Sequence, residues 1–297
     1  MKIKGTTRVC GLFGYPVQHS FSPAMHNAAF SYLGLDYVYV PFLVAPDRLE
    51  QAVNAIRALN LSGVNVTVPH KEKVISFLDE LMPEARLVGA VNVIVNNHGQ
   101  LTGHNTDGAG FLRALKSETG FLPEGRDVLV LGAGGAARAV SVSLALAGAR
   151  EICIANRTAQ RAEELARELN RSTPARAKAV LWSEQDLIKV IERVSLIIQA
   201  TSVGMHPGEE VCPSFPFQHL QKGQVVCDLI YNPPRTKFLE QAQATGSTAF
   251  NGLGMLFHQG ALAFELWTGV RAPEEIMYQA LFTAFSKAMI EKDQKGR

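Results

Sequence analysis

A glycine-rich turn between an apolar run and a helix-like segment constrains the fold of this chain more than any other feature. Asp127-Val-Leu-Val-Leu131 predicts a short buried strand, and Gly132-Ala133-Gly134-Gly135-Ala136-Ala137 follows it and fits G-x-G-x-x-A. The first glycine would make a tight turn, the second would let the backbone approach a pyrophosphate, and the small sixth residue would let helix pack on strand. A helix N-terminus also offers free N–H groups to an anion. The alternative is a glycine-rich turn without a ligand, but the strand and helix on either side favour a dinucleotide site.

The residues after the next strand bear on which dinucleotide would bind. That strand is predicted at 151–155, and the polar group after it is Asn156, Arg157, Thr158 and Arg161. An NAD site usually has a carboxylate here for the ribose 2′-hydroxyl, yet none precedes Glu163. Guanidinium groups suit a 2′-phosphate, so we predict NADP. In the alternative interpretation Thr158 only caps a helix and Arg161 is a solvated surface charge.

Alternating strands and helices predict an α/β fold with a mostly parallel sheet. Strands are predicted at 8–13, 36–43, 64–68, 91–95, 127–131, 151–155, 194–200 and 225–230. Helices are predicted at 23–33, 47–59, from Pro69 onwards, from about Gly108, from the glycine-rich turn to 147, and at 254–267 and 273–290. The proline- and glycine-rich segment 206–224 predicts a loop.

Two serines stand before the first helix. Ser22 can cap it and Pro23 suits its first turn, with Gly34 as its stop. The hydroxyl of Ser20 is not needed for that cap. Together with a helix N-terminus, the two hydroxyls would suit a carboxylate, although simple capping is the better explanation of this pattern taken alone.

Lys71 and Asp107 are candidate proton-handling residues. The prediction that Pro69 opens a helix puts Lys71 in its first turn, where a cation opposes the helix dipole at a cost of ~0.3–1 kcal/mol. A lysine so placed exchanges a proton more readily than one on the surface. The alternatives are an ordinary exposed lysine and an aspartate that caps the helix beginning near Gly108.

Composition narrows the function classes. With 297 residues and a net charge of +2, the chain has no global field suited to nucleic acid. Its four cysteines form neither a C-x-x-C pair nor a Cys/His cluster, so we expect no metal and a reducing compartment. No apolar run approaches the ~18 residues of a membrane span, and residues 1–15 lack the apolar core of a signal peptide. We therefore expect a cytoplasmic protein without membrane partners.

Nine short stretches in one order resemble the shikimate dehydrogenase family nearly end to end. They are Ser20-Phe-Ser-Pro-Ala-Met-His-Asn27, Gly63-Val-Asn-Val-Thr-Val-Pro-His-Lys71, Gly89-Ala-Val-Asn92, Gly103-His-Asn-Thr-Asp107, Gly132–Ala139, Asn156-Arg-Thr158, Ala200-Thr-Ser-Val-Gly-Met205, Asp228-Leu-Ile-Tyr231 and Gly252-Leu-Gly-Met-Leu-Phe-His-Gln259. Each alone is modest. Their occurrence together, in this order, favours a role in binding or catalysis at each position over helix capping or a surface charge.

The resemblance implies an N-terminal α/β substrate domain (1–106 and 253–297), with C-terminal helices that return to it, and a Rossmann-type NADP-binding domain (107–252). It implies NADP-dependent, reversible reduction of 3-dehydroshikimate to shikimate, in aromatic amino acid biosynthesis. The implied catalytic pair is Lys71 and Asp107. The implied substrate contacts are Ser20, Ser22, Thr67, Asn92, Tyr231 and Gln259. The implied cofactor contacts are Gly132, Ala133, Gly134, Gly135, Ala136, Asn156, Arg157, Thr158, Arg161, Thr201, Ser202, Met205, Gly252 and Met255.

Two alternatives stay open within this resemblance. The first is an NAD-linked quinate/shikimate dehydrogenase, against which the missing acidic residue after 151–155 argues. The second is a non-catalytic regulator that responds to shikimate or quinate, but Lys71 and Asp107 are both present and no basic DNA-binding segment is visible. A homodimer is an assembly that the sequence allows.

Overall fold

The computed structural model describes residues 2–295, and the chain in it forms two compact units. Unit 1 comprises the chain up to Thr106 and the segment from Gln259 on, and unit 2 comprises Asp107–His258. The strands are β1 (Arg8–Gly14), β2 (Tyr37–Leu43), β3 (Gly63–Val66), β4 (Glu80–Leu81), β5 (Val93–Asn97), β6 (Gln100–His104), β7 (Asp127–Leu131), β8 (Glu151–Ala155), β9 (Arg176–Val180), β10 (Leu196–Gln199), β11 (Val225–Asp228) and β12 (Thr248–Asn251). The helices are α1 (Ser22–Tyr32), α2 (Leu49–Ala58), α3 (Pro83–Val88), α4 (Asp107–Thr119), α5 (Gly135–Leu146), α6 (Ala159–Ser172), α7 (Glu184–Ile191), α8 (Lys237–Ala244), α9 (Leu253–Thr268) and α10 (Glu274–Lys295).

Unit 1 is built on a mixed sheet with the strand order β2-β1-β3-β5-β6-β4. β1 pairs in parallel with β2 and β3, whereas β5 pairs antiparallel with both β3 and β6. Because β4 also pairs in parallel with β6, three of the five pairings are parallel, and the prediction of a mostly parallel sheet is confirmed except for the two antiparallel pairings of β5. The cause is a hairpin, since His98 and Gly99 both adopt positive φ (53° and 94°) and turn β5 directly into β6.

Helices of unit 1 bury apolar faces against its sheet. In α2 the residues Leu49, Val53 and Ile56, spaced by three and four, are each 1% exposed or less. Burial of such a side chain contributes ~1.5–3 kcal/mol. From the C-terminal segment, α10 packs on α1, where the rings of Phe21 and Phe285 meet at 5.4 Å. The expected return of the C-terminal helices to the first domain is confirmed.

Two local predictions in unit 1 are wrong. No α-helix begins at Pro69: the chain turns there and forms a 3-10 segment only at Lys73–Phe77. Ser22 is not the cap of α1 but lies within it, and the capping position falls on Phe21 without a side-chain hydrogen bond. Gly34 does follow the helix end in a left-handed conformation, with φ at 65°.

Unit 2 is a parallel six-stranded sheet with the order β12-β11-β10-β7-β8-β9. Numbered within the unit this is 6-5-4-1-2-3, the order of doubly wound dinucleotide-binding sheets. The strands β7 and β8 have the predicted bounds, and α5 follows the glycine-rich turn. Residues 206–224 form the predicted loop, with one 3-10 turn at Phe217–His219.

Four elements of unit 2 have no sequence counterpart among the predictions, namely β9, α7, α8 and β12. The edge strands β9 and β12 flank the sheet and expose part of their residues, so they lack continuous apolar runs. None of the helices described is long and apolar enough to cross a membrane.

Candidate active site

The glycine-rich turn of unit 2 lies where the ends of three strands meet. Gly132 has φ of 119°, and its N–H donates to the carbonyl of Ala155 at 2.7 Å. A Cβ at this position would lie 3.0 Å from the carbonyl oxygen of Ala200. Only glycine fits this backbone without strain, and it brings the ends of β7, β8 and β10 together. The carboxyl edge between β7 and β10 is the switch point at which such sheets bind ligands.

The next two glycines border open space at the start of α5. A Cβ on Gly134 or Gly135 would meet no atom within 4 Å, and Gly134 is exposed at the capping position. The first N–H groups of the helix have no intrahelical partner and carry its positive end. Ala133 and Ala136 lie beside them, and Ala137 is fully buried. The turn therefore fits a pyrophosphate.

The end of β8 presents two guanidinium groups. Asn156 donates from Nδ2 to the carbonyl of Thr158 at 2.9 Å and closes the turn into α6. Thr158 takes the capping position of that helix, as the alternative interpretation proposed, but its hydroxyl makes no capping hydrogen bond. Arg157 and Arg161 are exposed, and no ion pair with another described residue engages either guanidinium. This group fits a 2′-phosphate.

The loops after β10 and β11 approach each other at the same edge of unit 2. Thr201 donates its N–H to Gln199 Oε1 at 2.5 Å, and the N–H of Met205 donates to the carbonyl of Ser202 at 3.2 Å. The next N–H, that of His206, reaches the carbonyl of Asn232 at 3.2 Å. Asn232 follows Tyr231 in the chain, so the loop that carries Tyr231 adjoins the Thr201–Met205 loop.

Gly252 joins this edge through its backbone. Its N–H donates to the carbonyl of Ile230 at 3.2 Å, and a side chain here would collide with the backbone of Leu229. The close approach places the start of α9, with Met255 in its first turn, beside the end of β11. Five predicted nicotinamide-side residues thus lie near this edge of unit 2, Met255 in the first turn of α9 and the other four in neighbouring loops: Thr201, Ser202, Met205 and Gly252.

A buried polar network that the sequence analysis missed supports these loops. Asp228 at the end of β11 accepts from the Thr236 hydroxyl at 2.6 Å and from the Ile230 N–H at 3.0 Å, and Gln199 donates to it at 3.4 Å. Burial raises the pKa of Asp228 to about 6, while the Thr236 and Ile230 hydrogen bonds oppose this shift. Its sequence signal was a carboxylate at the end of an apolar run.

In unit 1 the two predicted carboxylate-binding serines are adjacent. The N–H of Ser22 donates to Oγ of Ser20 at 3.3 Å. It is therefore Ser20 whose oxygen serves the start of α1, the reverse of the predicted roles. Ser20 keeps its hydroxyl hydrogen for another acceptor, and Ser22 is 6% exposed.

Asn92 and Gln259, 167 positions apart, meet in one buried network. Asn92 Nδ2 donates to Gln259 Oε1 at 3.3 Å and to the Thr106 hydroxyl at 2.9 Å. Asn92 Oδ1 accepts the Thr106 N–H at 2.8 Å, and the Thr106 hydroxyl donates to the Gln259 carbonyl at 3.1 Å. The exposed fractions are 2% for Asn92 and 9% for Gln259. Two predicted contacts for ring hydroxyls are thus side by side.

Tyr39 and Asn65 extend this network and were not predicted as site residues. The Tyr39 hydroxyl donates to Asn65 Oδ1 at 2.7 Å, and Asn65 Nδ2 donates to the carbonyl of Asn92 at 3.2 Å. The signal in the sequence was a single amide inside the apolar strand Gly63–Val66, since a buried polar side chain needs partners.

A turn after β3, rather than a helix, holds Thr67 and Lys71. The N–H of Thr67 donates to the carbonyl of Phe13, and its own carbonyl accepts from the N–H of His70, both at 2.9 Å. Lys71 is half-buried, and its carbonyl accepts from the N–H of Val91 at 2.8 Å. The helix-dipole argument for Lys71 therefore does not apply, because no helix begins before it. The same hydrogen bond joins the turn to the residue preceding Asn92.

Asp107 belongs to unit 2 and is the first residue of α4, where it is 5% exposed. It follows Thr106, the last residue of the first segment of unit 1, whose hydrogen bonds to Asn92 and Gln259 hold the backbone in place there. Behind Asp107, Gly108 packs tightly on α5, where a Cβ would lie 2.6 Å from the carbonyl of Ala139.

Models of three protein families match successive parts of the chain. Residues 12–94 match the shikimate dehydrogenase substrate binding domain, residues 116–206 match shikimate/quinate 5-dehydrogenase, and residues 252–282 match the shikimate 5′-dehydrogenase C-terminal domain.

Full-length relatives agree with these matches. The chain is 56% identical over 286 residues to the shikimate dehydrogenase (NADP(+)) of Desulforamulus reducens, covering 96% of this chain and 98% of that protein. It is 50% identical to the enzyme of the same description from Methanopyrus kandleri, covering 95% and 97%. The crystal structure of shikimate 5-dehydrogenase from Listeria monocytogenes in complex with shikimate and NAD superposes with a TM-score of 0.89 at 41% identity, covering 95% and 98%. The glycine-rich turn and the Asn92 network agree with these matches, and the chain belongs to the shikimate dehydrogenase family.

Proposed function

We propose that the chain catalyses the reversible, NADP-dependent reduction of 3-dehydroshikimate to shikimate, a step of aromatic amino acid biosynthesis. The observation that carries this proposal is the meeting of Asn92 and Gln259 in unit 1, since their amides offer donors and acceptors for a polyhydroxylated ring. The relatives named above, described as NADP-dependent shikimate dehydrogenases, support it. We take residues 1–106 with 253–297 as the substrate domain and 107–252 as the cofactor domain.

In this proposal the substrate carboxylate binds at the start of α1. Ser20 can donate its hydroxyl hydrogen while its oxygen accepts from Ser22, and the helix N-terminus adds a positive end. Ser22 supplies the second hydroxyl. Thr67, Asn92 and Gln259 hold the ring hydroxyls, and Tyr231 is a further contact.

The bound cofactor supplies the hydride. Gly132–Ala136 hold its pyrophosphate, Asn156, Arg157, Thr158 and Arg161 hold its 2′-phosphate, and Thr201, Ser202, Met205, Gly252 and Met255 line its nicotinamide side. The absence of a carboxylate between β8 and Glu163 supports NADP over NAD.

Lys71 and Asp107 handle the proton. As hydride reaches the ketone carbon, negative charge develops on its oxygen, and the Lys71 ammonium stabilises that charge and donates a proton to it. A positioned acid of this kind typically contributes ~10²–10⁴-fold to the rate. In this proposal the Asp107 carboxylate accepts a hydrogen bond from the same hydroxyl and orients it.

Oxidation rates for two substrates with two cofactors test this proposal against the NAD-linked quinate alternative. Initial rates are measured with shikimate and with quinate, each with NADP⁺ and with NAD⁺. We expect the highest kcat/KM for shikimate with NADP⁺. A preference for quinate with NAD⁺ would establish the alternative, and no turnover of either substrate would refute a catalytic role.

We further propose a homodimer in the cytoplasm. The rings of Tyr278 and Phe282 stack on an exposed face of α10, where they are 45% and 52% exposed. Association of two copies would bury them. Free, largely buried cysteines suit a reducing compartment. Sedimentation of the parent and of Phe282→Glu measures the assembly: a monomeric parent would refute the dimer.

A further inference from the structure

Three contacts, two with Asn27 and one with His26, hold Tyr39 of β2 in place within unit 1. Its N–H donates to Asn27 Oδ1 at 2.8 Å, and its carbonyl accepts from Asn27 Nδ2 at 3.0 Å. Its ring stacks on that of His26, with centroids 4.4 Å apart and planes inclined by 13°. The residue is 2% exposed. The hydroxyl therefore has little freedom to leave its position.

The direction of its hydrogen bond follows from its neighbours. The carbonyl of Asn92 can only accept, so the group that Asn65 turns towards it must be the amide nitrogen. Asn65 Oδ1 then faces Tyr39, and the phenol must donate to it. Burial raises the pKa of Tyr39 well above its usual value, so the phenol keeps its proton.

The phenol oxygen is also near a proposed substrate residue. The Ser22 side chain lies near the phenol, lowers its pKa and so partly offsets the effect of burial. The phenol hydroxyl is thus close to the serine proposed for the carboxylate and bonded to the amide that donates to the carbonyl of Asn92, proposed for the ring hydroxyls. The neighbours of this hydroxyl come from α1 and β3. Backbone pairing already places β3 beside the segment before β5, where the N–H of Val66 donates to the same Asn92 carbonyl at 2.9 Å, so the phenol acts on the side chains and not on the strand register.

We propose that Tyr39 is a positioning residue of the substrate site, which sets the distance and orientation between the carboxylate-binding and hydroxyl-binding groups of unit 1. This inference rests on the proposed function. Without the phenol hydroxyl, Asn65 Oδ1 becomes a buried acceptor lacking its donor, and the amide can turn away from the Asn92 carbonyl. A buried acceptor left unsatisfied is unfavourable, and part of that cost falls on substrate binding.

The test is Tyr39→Phe, which removes one oxygen and keeps the ring stacked on His26. We expect KM for shikimate to rise roughly tenfold, with a matching loss of shikimate affinity in calorimetry without cofactor. KM for NADP⁺ should stay within about twofold of the parent, because the cofactor residues lie in unit 2. A role confined to folding would lower the melting temperature or the active fraction without separating the two KM values.

Tyr37→Phe is the matched control. Tyr37 lies two positions earlier on the same face of β2, is 7% exposed, and its hydroxyl is near Ser62 and Arg8, which take no part in the proposed site. We expect both KM values to remain at the parent level in this variant.

Three results would overturn the inference: unchanged shikimate KM and affinity in Tyr39→Phe, equal changes in both KM values, or the same shikimate effect in Tyr37→Phe. Failure of the proposed function is seen separately, as a parent protein that neither oxidises nor binds shikimate. That result would remove the inference as well.

Discussion

At the scale of single residues, the proposed chemistry depends on Lys71 in the turn after β3. Backbone hydrogen bonds at Thr67, His70 and Val91 define that turn, so the position of the lysine does not depend on its own side chain. A substitution there should leave the turn intact and remove only the ammonium.

Lys71→Ala should lower kcat by ~10²–10⁴-fold in both directions, because the shared transition state loses the group proposed to exchange the hydroxyl proton. KM for shikimate should change little, since Ser20, Asn92 and Gln259 remain. Steady-state rates with shikimate and NADP⁺ measure both constants. Lys73→Ala, an exposed neighbour, serves as control. A Lys71→Ala variant with near-parental kcat would exclude the proton-donor role.

Arg157→Ala should raise KM for NADP⁺ roughly 10- to 100-fold, in line with ~1.5–3 kcal/mol for a hydrogen bond to a charged group. KM for shikimate should stay near the parental value. The exposed Arg167, further along α6, provides a control with the same loss of charge. Equal effects of Arg157→Ala on both KM values would contradict the assignment to the 2′-phosphate.

At the scale of elements, strands with continuous apolar runs beside the glycine-rich turn could be predicted from the sequence. Elements with weaker patterns could not. β7 and β8 each have a neighbouring strand on both sides, and in each the four residues after the first are apolar and buried. β9 at the sheet edge alternates exposed and buried residues over a short stretch, and its strand character comes from pairing with β8. Pro69 resembled a helix start, but the hydrogen bonds of the turn prevail there.

The same contrast holds for the site. Residues in local motifs, such as Gly132 and Ser20, could be singled out from spacing because a backbone conformation or helix start explains them. Tyr39 has no such local signal, and the single amide of Asn65 in an apolar strand indicates only that it needs a partner, since their contact joins two different strands. Three-dimensional pairing was needed to show that either has a partner.

The crossing of α4 and α5 gives a stability prediction for an element. Gly108→Ala places a methyl group against the Ala139 carbonyl and the Ser143 side chain, and the backbone of α5 cannot move aside freely. Overpacking of this kind costs about 1–3 kcal/mol. Urea unfolding should show that loss, and Gly5→Ala, whose added methyl meets no atom within 4 Å, should not. Parental stability of Gly108→Ala would contradict the close crossing.

At the scale of the whole molecule, the aromatic cluster that supports Tyr39 also links stability to pH. Both ring nitrogens of His26 are buried without a hydrogen-bond partner, and Tyr39, Phe264 and Trp267 surround the ring. Burial lowers the pKa of His26 from its usual 6.5 to about 3. Between these values the unfolded chain binds a proton that the folded chain does not, so stability falls as the pH falls through this window.

His26→Leu should therefore flatten the dependence of unfolding free energy on pH between 6 and 4. The expected change in slope is up to about 1.4 kcal/mol per pH unit, the value for one proton. Denaturant unfolding at several pH values measures it, and His98→Asn, at an exposed turn position, is the control. Identical slopes for the parent and His26→Leu would show that this histidine is protonated in the folded protein.

The activity proposed for the chain is the reduction of 3-dehydroshikimate by NADPH. Its most direct test is the loss of NADPH absorbance on addition of 3-dehydroshikimate, repeated with NADH at the same concentration. We expect rapid consumption of NADPH with formation of shikimate, and a much lower kcat/KM with NADH, which lacks the 2′-phosphate that Arg157 and Arg161 would bind. No NADPH consumption, or an equal kcat/KM with NADH, would contradict it.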